Sequence, residues 1–102
     1  MLRSFAPLSI AINVLKRETI QAVLRSPSFH AKGWAILDRW AFDSPKELRA
    51  LEAEGEIILL GRLLEQQLTE HYVLRSQAGL KLLSNGLAEH EILALEGVAL
   101  AL

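Results

Sequence analysis

The sequence predicts an all-α domain, a small bundle of four to six helices around one long central helix, and three observations carry that prediction. Leucine dominates an apolar fraction of 51%. Leucine favours helices, whereas the β-branched and aromatic types that favour strands are sparse. Apolar residues recur at three- and four-residue spacing, which places them on one face of a helix. Prolines number only three and glycines six.

Taken in order, Pro7 fits the first turn of a helix, with Ser4 or Ala6 before it. Leu8, Ile12, Leu15, Ile20, Val23 and Leu24 then share one half of a helical wheel, and Lys16 crosses that arc with its stem along the apolar surface. Arg25-Ser26-Pro27-Ser28 interrupts the pattern, because the residue before a proline leaves the helical region. Ser26 or Ser28 is expected to cap the next helix, whose stripe is Phe29, Gly33, Ile36, Leu37, Trp40 and Ala41. Ser44, Pro45 and Glu47 read as N-cap, first helical position and the far half of a capping box.

Gly55 admits two readings. It ends the helix that begins at Pro45, or it sits inside a single bent helix running to Arg75. An interior glycine costs only about 1 kcal/mol against alanine, and Leu48, Leu51, Ile58, Leu59 and Leu63 continue one stripe through it. Ile57 to Leu60 has the composition of a strand, but no partner strand exists, so a central helix from about Ile57 to Leu74 is expected. Ser76 caps a short helix from Gln77 to Ser84. Asn85-Gly86 closes it, with Gly86 in the left-handed C′ position and Leu87 making the apolar contact that follows. Ala88 to Glu96 forms the last helix, ended by Gly97. The tail Val98 to Leu102 is wholly apolar and is expected to dock.

The chain reads as one domain, residues 1–102, too apolar for intrinsic disorder. It has no cysteine, so neither a disulfide framework nor a thiolate zinc site is possible. A net charge of -1 argues against coating of phosphate backbones. The charge is nevertheless uneven: residues 1–43 carry +3 and residues 44–102 carry -4. The halves are able to attract each other within a monomer or head-to-tail between two, the plainer reading being solvated helix faces. No apolar window reaches 18 residues, so no transmembrane helix is expected. Met1 to Arg17 holds Arg3, Lys16 and Arg17 with no acid until Glu18. This overlaps with an organellar transit peptide, but an ordinary first helix and a cytoplasmic protein are the expectation.

Residues Leu80 to Ile92 combine a leucine-rich helix, a glycine turn and a Glu-Ile helix. They resemble the opening helix pair of the helix-turn-helix in LuxR-type response regulators. That resemblance implies a DNA-binding regulator with a partial helix-turn-helix over 77–97, and a basic face drawn from Arg3, Lys16, Arg17, Arg25, Lys32 and Arg39. The chain departs from the family where a recognition helix would follow, since Gly97 and five apolar residues stand there instead. Were Ala88 to Glu96 the recognition helix, Glu89, Glu91 and Glu96 would bring the wrong sign to phosphates.

Arg25 and His30, with four residues between them, resemble the motif of HEPN-type ribonucleases. The resemblance implies that His30 handles a proton and Arg25 the charged phosphate, although Pro27 interrupts the motif. Gln67 and His71 share one helix face, but glutamine is a poor zinc ligand, and no phosphate loop, dinucleotide fingerprint or nucleophile elbow is present.

The function expected is therefore protein–protein interaction: a small adaptor, regulator or inhibitor that self-associates, without enzymatic activity, cofactor or metal. The partner is a protein, this chain itself included; nucleic acid is the weaker candidate and a membrane is not expected. The contact residues expected are Trp34 and Trp40, from the aromatic cluster between Phe29 and Phe42. To them are added Ile57, Leu60 and Leu64, which lie off the Leu48–Leu59 face, and Val98, Leu100 and Leu102 of the tail.

Overall fold

Helices supply every regular element in the computed structural model, which describes residues 7–102. The expected cap at Ser4 or Ala6, and Arg3, lie outside those residues. A single 3-10 turn, Ala11–Asn13, precedes six α-helices: α1 (Arg17–Arg25), α2 (Ala31–Asp43), α3 (Pro45–Glu54), α4 (Glu56–Arg75), α5 (Gln77–Ser84) and α6 (Glu89–Leu95). α4 is the spine, with α2, α3, α5 and α6 all packed on it. The bundle expected from leucine periodicity is the bundle found.

The first helix is not the continuous one expected from Pro7. Leu8 takes a left-handed φ of 63°, a conformation that costs a non-glycine residue about 1–2 kcal/mol, and its side chain is buried. Main-chain N–H groups that a helix would have bonded are met by carboxylates from distant helices. Asp38 Oδ1 accepts from Ile10 (3.1 Å) and Ala11 (2.8 Å), and Glu52 Oε2 accepts from Lys16 (2.8 Å). Ile12 is consequently exposed, while Leu8, Leu15, Ile20 and Val23 reach the core.

Other helix ends refine the sequence reading. His30, not Ser26 or Ser28, caps α2, its Nδ1 accepting from the Lys32 N–H at 3.3 Å. Ser44 and Pro45 start α3 as expected, but Ser44 makes no side-chain cap bond, so the capping box with Glu47 does not form. Gly55 has φ 136°, which no helix contains, and it separates α3 from α4. The single bent helix is thereby excluded. Ser76 caps α5 by accepting from the Gly79 N–H at 3.1 Å.

Both C-terminal glycine signals hold, and both helices end in Schellman motifs. Gly86 is left-handed at φ 93°, with Gly86 N–H donating to Leu83 (3.0 Å) and Leu87 N–H to Leu82 (3.2 Å). After α6, Gly97 has φ 79°, with bonds from Gly97 to Ala94 (3.1 Å) and from Val98 to Leu93 (2.9 Å).

Two apolar clusters result. The larger gathers Leu8, Val23, Phe29, Ile36, Leu37, Trp40, Leu48, Leu59 and Leu63 among others. The smaller joins Leu74, Ile92 and Leu93. Fully burying one such leucine or isoleucine contributes about 1.5–3 kcal/mol. The final segment bridges them: Val98 and Leu100 pack on the smaller cluster and Leu102 on the larger.

Candidate functional site

α4 presents two faces, and they differ in kind. Its inward face carries Leu59, Leu63, Gln66, Gln67, Glu70 and Leu74, a stripe at helical spacing in which three polar residues interrupt leucines. Each of the three is tied to another part of the chain. Glu70 pairs with Arg39 of α2 at 2.7 Å. Gln66 Nε2 donates to Glu70 Oε2 and to the Ala99 carbonyl, both at 2.7 Å, and its Oε1 accepts from Arg62 at 2.8 Å. Arg39 Nε and Trp40 Nε1 donate to the Leu100 carbonyl at 2.9 and 3.2 Å. The Arg62 guanidinium lies 5.1 Å from the Trp40 ring centroid, within cation–π range.

Together these groups clamp the main chain of segment 98–102. Its carbonyls receive the polar bonds, while Val98, Leu100 and Leu102 alternate inward and Ala99 and Ala101 face solvent. Val98 to Leu102 thus docks within its own chain.

Gln67 ties α4 to the loop before α2. Its Nε2 donates to the Ser28 carbonyl at 2.9 Å. Its Oε1 is buried without a hydrogen-bond partner among the described residues, set so close to Gly33 that a Cβ there would overlap it. Beside Gln67 opens a cavity of about 240 Å³ between α2, α4 and α5, whose apolar lining is Ile36, Leu74, Leu80 and Leu83. His30, Lys32, His71, Arg75, Glu70 and Glu89 rim it. Lys32 and Glu89 pair across that rim at 2.7 Å. Nowhere among the described residues do three His, Asp or Glu side chains gather as a metal-binding group.

Most of the outward face of α4 is uncovered among the described residues. Ile57 is 83% exposed, Leu68 58% and Tyr72 76%. Gly61, on the same line, faces open space, with nothing among the described residues within 4 Å of where a Cβ would stand. Leu64 is half-buried beside them. The positions 57, 61, 64, 68 and 72 follow one another at steps of three or four residues along the whole helix, the spacing of a helix-packing seam.

The sequence-predicted contact residues divide accordingly. Ile57 is fully on this outward seam and Leu64 on its flank; Leu60 is half-buried against the larger cluster. Trp40 is wholly buried, because its indole closes the core under the tail, so it has no surface to offer a partner. Trp34 is half-buried, and its enclosed Nε1 has no hydrogen-bond partner among the described residues. Leu68, Gly61 and Tyr72 complete the seam but were not among the residues expected. Their 3–4 spacing with Ile57 was the available signal.

The two family resemblances meet the following geometry. Arg25 and His30 line different concavities, Arg25 beside Arg17, Glu18 and Gln21, and His30 beside His71 and Arg75. α5 and α6 do form a helical pair, in which Ile92 and Leu93 are buried and Glu89 is engaged with Lys32. Past α6 the chain enters the docked tail. Of the basic residues in the N-terminal half, Lys32 and Arg39 are paired with Glu89 and Glu70 of the acidic half. None of the described helices is long and apolar enough to cross a membrane. No protein-family model, curated protein sequence or solved structure matches the chain.

Proposed function

We propose that this protein is a small helical protein–protein interaction module that self-associates through the outward face of α4. One observation carries the reading: an apolar seam runs along the spine helix from Ile57 to Tyr72, and among the described residues Ile57, Leu68 and Tyr72 on it stay exposed, with Leu64 half-buried against the core. Single exposed leucines are ordinary on a protein surface, but a contiguous apolar line at helix-packing spacing marks a contact.

The inward groups support the same view by being already engaged. The Arg39–Glu70–Gln66 cluster holds the tail, and two ion pairs join the basic half to the acidic half within the monomer. What remains to drive association is chiefly apolar area, worth about 25 cal/mol per Å² removed from water.

Light scattering and sedimentation across a concentration series test this. The wild-type mass is expected to rise above 11.3 kDa with concentration. Leu68→Glu is expected to keep wild-type helicity and remain monomeric, since the substitution puts two carboxylates into the contact. A chain that stays monomeric at the highest soluble concentration, or a Leu68→Glu variant that associates as readily as wild type, removes the proposal.

A further inference from the structure

We infer that the occupant of this face is the same face of a second copy, laid antiparallel about a two-fold axis passing between Leu64 and Glu65. The inference rests on the reading of the face as a self-contact and adds which residue meets which. The four outer positions of the seam are symmetric about that point, while the central Leu64 falls opposite Glu65, which pairs with Arg62 on its own helix. Ile57 lies as far before the axis as Tyr72 lies after it, and Gly61 is matched in the same way by Leu68. Antiparallel pairing therefore sets Ile57 against the partner copy's aromatic position and Gly61 against its leucine, each contact occurring twice. The span from the first to the last of these positions is about 22 Å at 1.5 Å per residue.

Size complementarity selects this direction. Gly61 faces open space, and a glycine inside an exposed helix weakens that helix with no return from the monomer. In the antiparallel arrangement the missing side chain is the hole that receives Leu68. In a parallel arrangement two glycines would face each other at the second position of the seam, leaving a gap lined by Ile57 and Leu64.

Charge selects the same direction independently. The seam begins beside Glu54 and Glu56 and ends at His71 and Arg75. Neither Glu54 nor Glu56 nor Arg75 takes part in an ion pair within the described residues. Antiparallel copies place the acidic end of one helix at the basic end of the other, whereas parallel copies stack like on like. Because the contact is isologous, two copies satisfy it and no open fibre is generated.

The absence of cysteine makes the direction directly measurable. Ile57→Cys and Tyr72→Cys variants, both at exposed positions, are to be treated singly and as an equal mixture with a short bismaleimide. Its reach must be well below the about 22 Å that separates two copies of position 57 in the antiparallel dimer. The mixture is expected to give the 57–72 cross-linked heterodimer at least tenfold above the homotypic product of either variant alone. Gly61→Leu, which fills the hole, is expected to weaken the dimer at least tenfold, with wild-type helicity by circular dichroism. Dominant homotypic links in a protein that light scattering shows to be dimeric overturn the antiparallel inference and leave the proposed function standing. Unlinked variants in a monomeric protein remove both.

Discussion

Gly61→Ala and Gly79→Ala make the same change in intrinsic preference and should move stability in opposite directions. Both glycines lie inside helices, so each alanine gains about 1 kcal/mol of helix propensity. At Gly61 the new methyl meets nothing within 4 Å, and the gain is kept in the monomer. At Gly79 it would overlap the Val73 carbonyl oxygen and stand 3.1 Å from the Leu74 carbonyl oxygen. These are main-chain atoms at the end of α4, and no change of rotamer clears them. α5 has to lift off the last turn of the spine, loosening the Ser76 cap and the contact of Leu82 with the smaller cluster.

Overpacking costs about 1–3 kcal/mol where side chains are able to adjust, and here they are not. The expected outcome is stabilisation by about 1 kcal/mol for Gly61→Ala and destabilisation by about 1–2 kcal/mol for Gly79→Ala, after the propensity gain is included. For a chain of this size each kcal/mol moves the midpoint by about 4–8 °C. Urea and thermal unfolding by circular dichroism, at concentrations where only monomer is present, measure both. Equal stabilities, or Gly79→Ala as the more stable protein, would refute the seating of α5 against the end of α4.

Arg39→Leu should cost about 2–3 kcal/mol in urea unfolding, because it leaves the largely buried Glu70 carboxylate without its cation, held by Gln66 alone, and leaves the Leu100 carbonyl with Trp40 as its one donor among the described residues. Removing residues 98–102 should red-shift the tryptophan fluorescence and lower stability by about 3 kcal/mol, as Gln66, Arg39 and Trp40 each lose a main-chain acceptor. Lys32→Ala should change stability by less than about 0.5 kcal/mol, since the Lys32–Glu89 pair is more than half exposed on both sides; a larger loss in the same assay would show that the pair holds α6 to α2.

What was legible in the sequence was whatever local chemistry decides. Gly86 and Gly97 end helices because each is followed by an apolar residue that completes a Schellman motif, and Ser76 and Pro45 begin helices for equally local reasons. The stripe from Phe29 to Ala41 was readable from spacing alone. The first helix was not, because its interruption depends on Asp38 and Glu52, distant in sequence, accepting from Ile10, Ala11 and Lys16. The capping of α2 by His30 was hidden for a related reason: two serines nearby had the better intrinsic preference, and the fold placed the imidazole at the N-cap instead. For the site, apolar excess on the central helix was visible at Ile57, Leu60 and Leu64. Which of its faces would be covered depends on where α2, α3, α5 and the tail come to rest.

The same dependence accounts for the tail. An apolar ending suggests either a core strand of contacts or an exposed hook, and sequence alone does not separate them. Here the deciding feature is the polar company on α4. Gln66 and Glu70 would be costly on a buried stripe unless their hydrogen-bonding capacity were met; the Ala99 carbonyl accepts from Gln66 and Arg39 donates to Glu70, while Arg39 also donates to the Leu100 carbonyl. Once the tail is committed in this way, it is no longer available to a partner. The inward face of α4 is also occupied, and the seam from Ile57 to Tyr72 is apolar surface on the same helix that folding did not use. A spine helix that is apolar on two opposite sides has a weak amphipathic signature, which is what a helix shared between a core and an interface should have. Association through α4 should therefore survive substitutions in the tail that leave the monomer folded, and tail and seam should behave as independent sites.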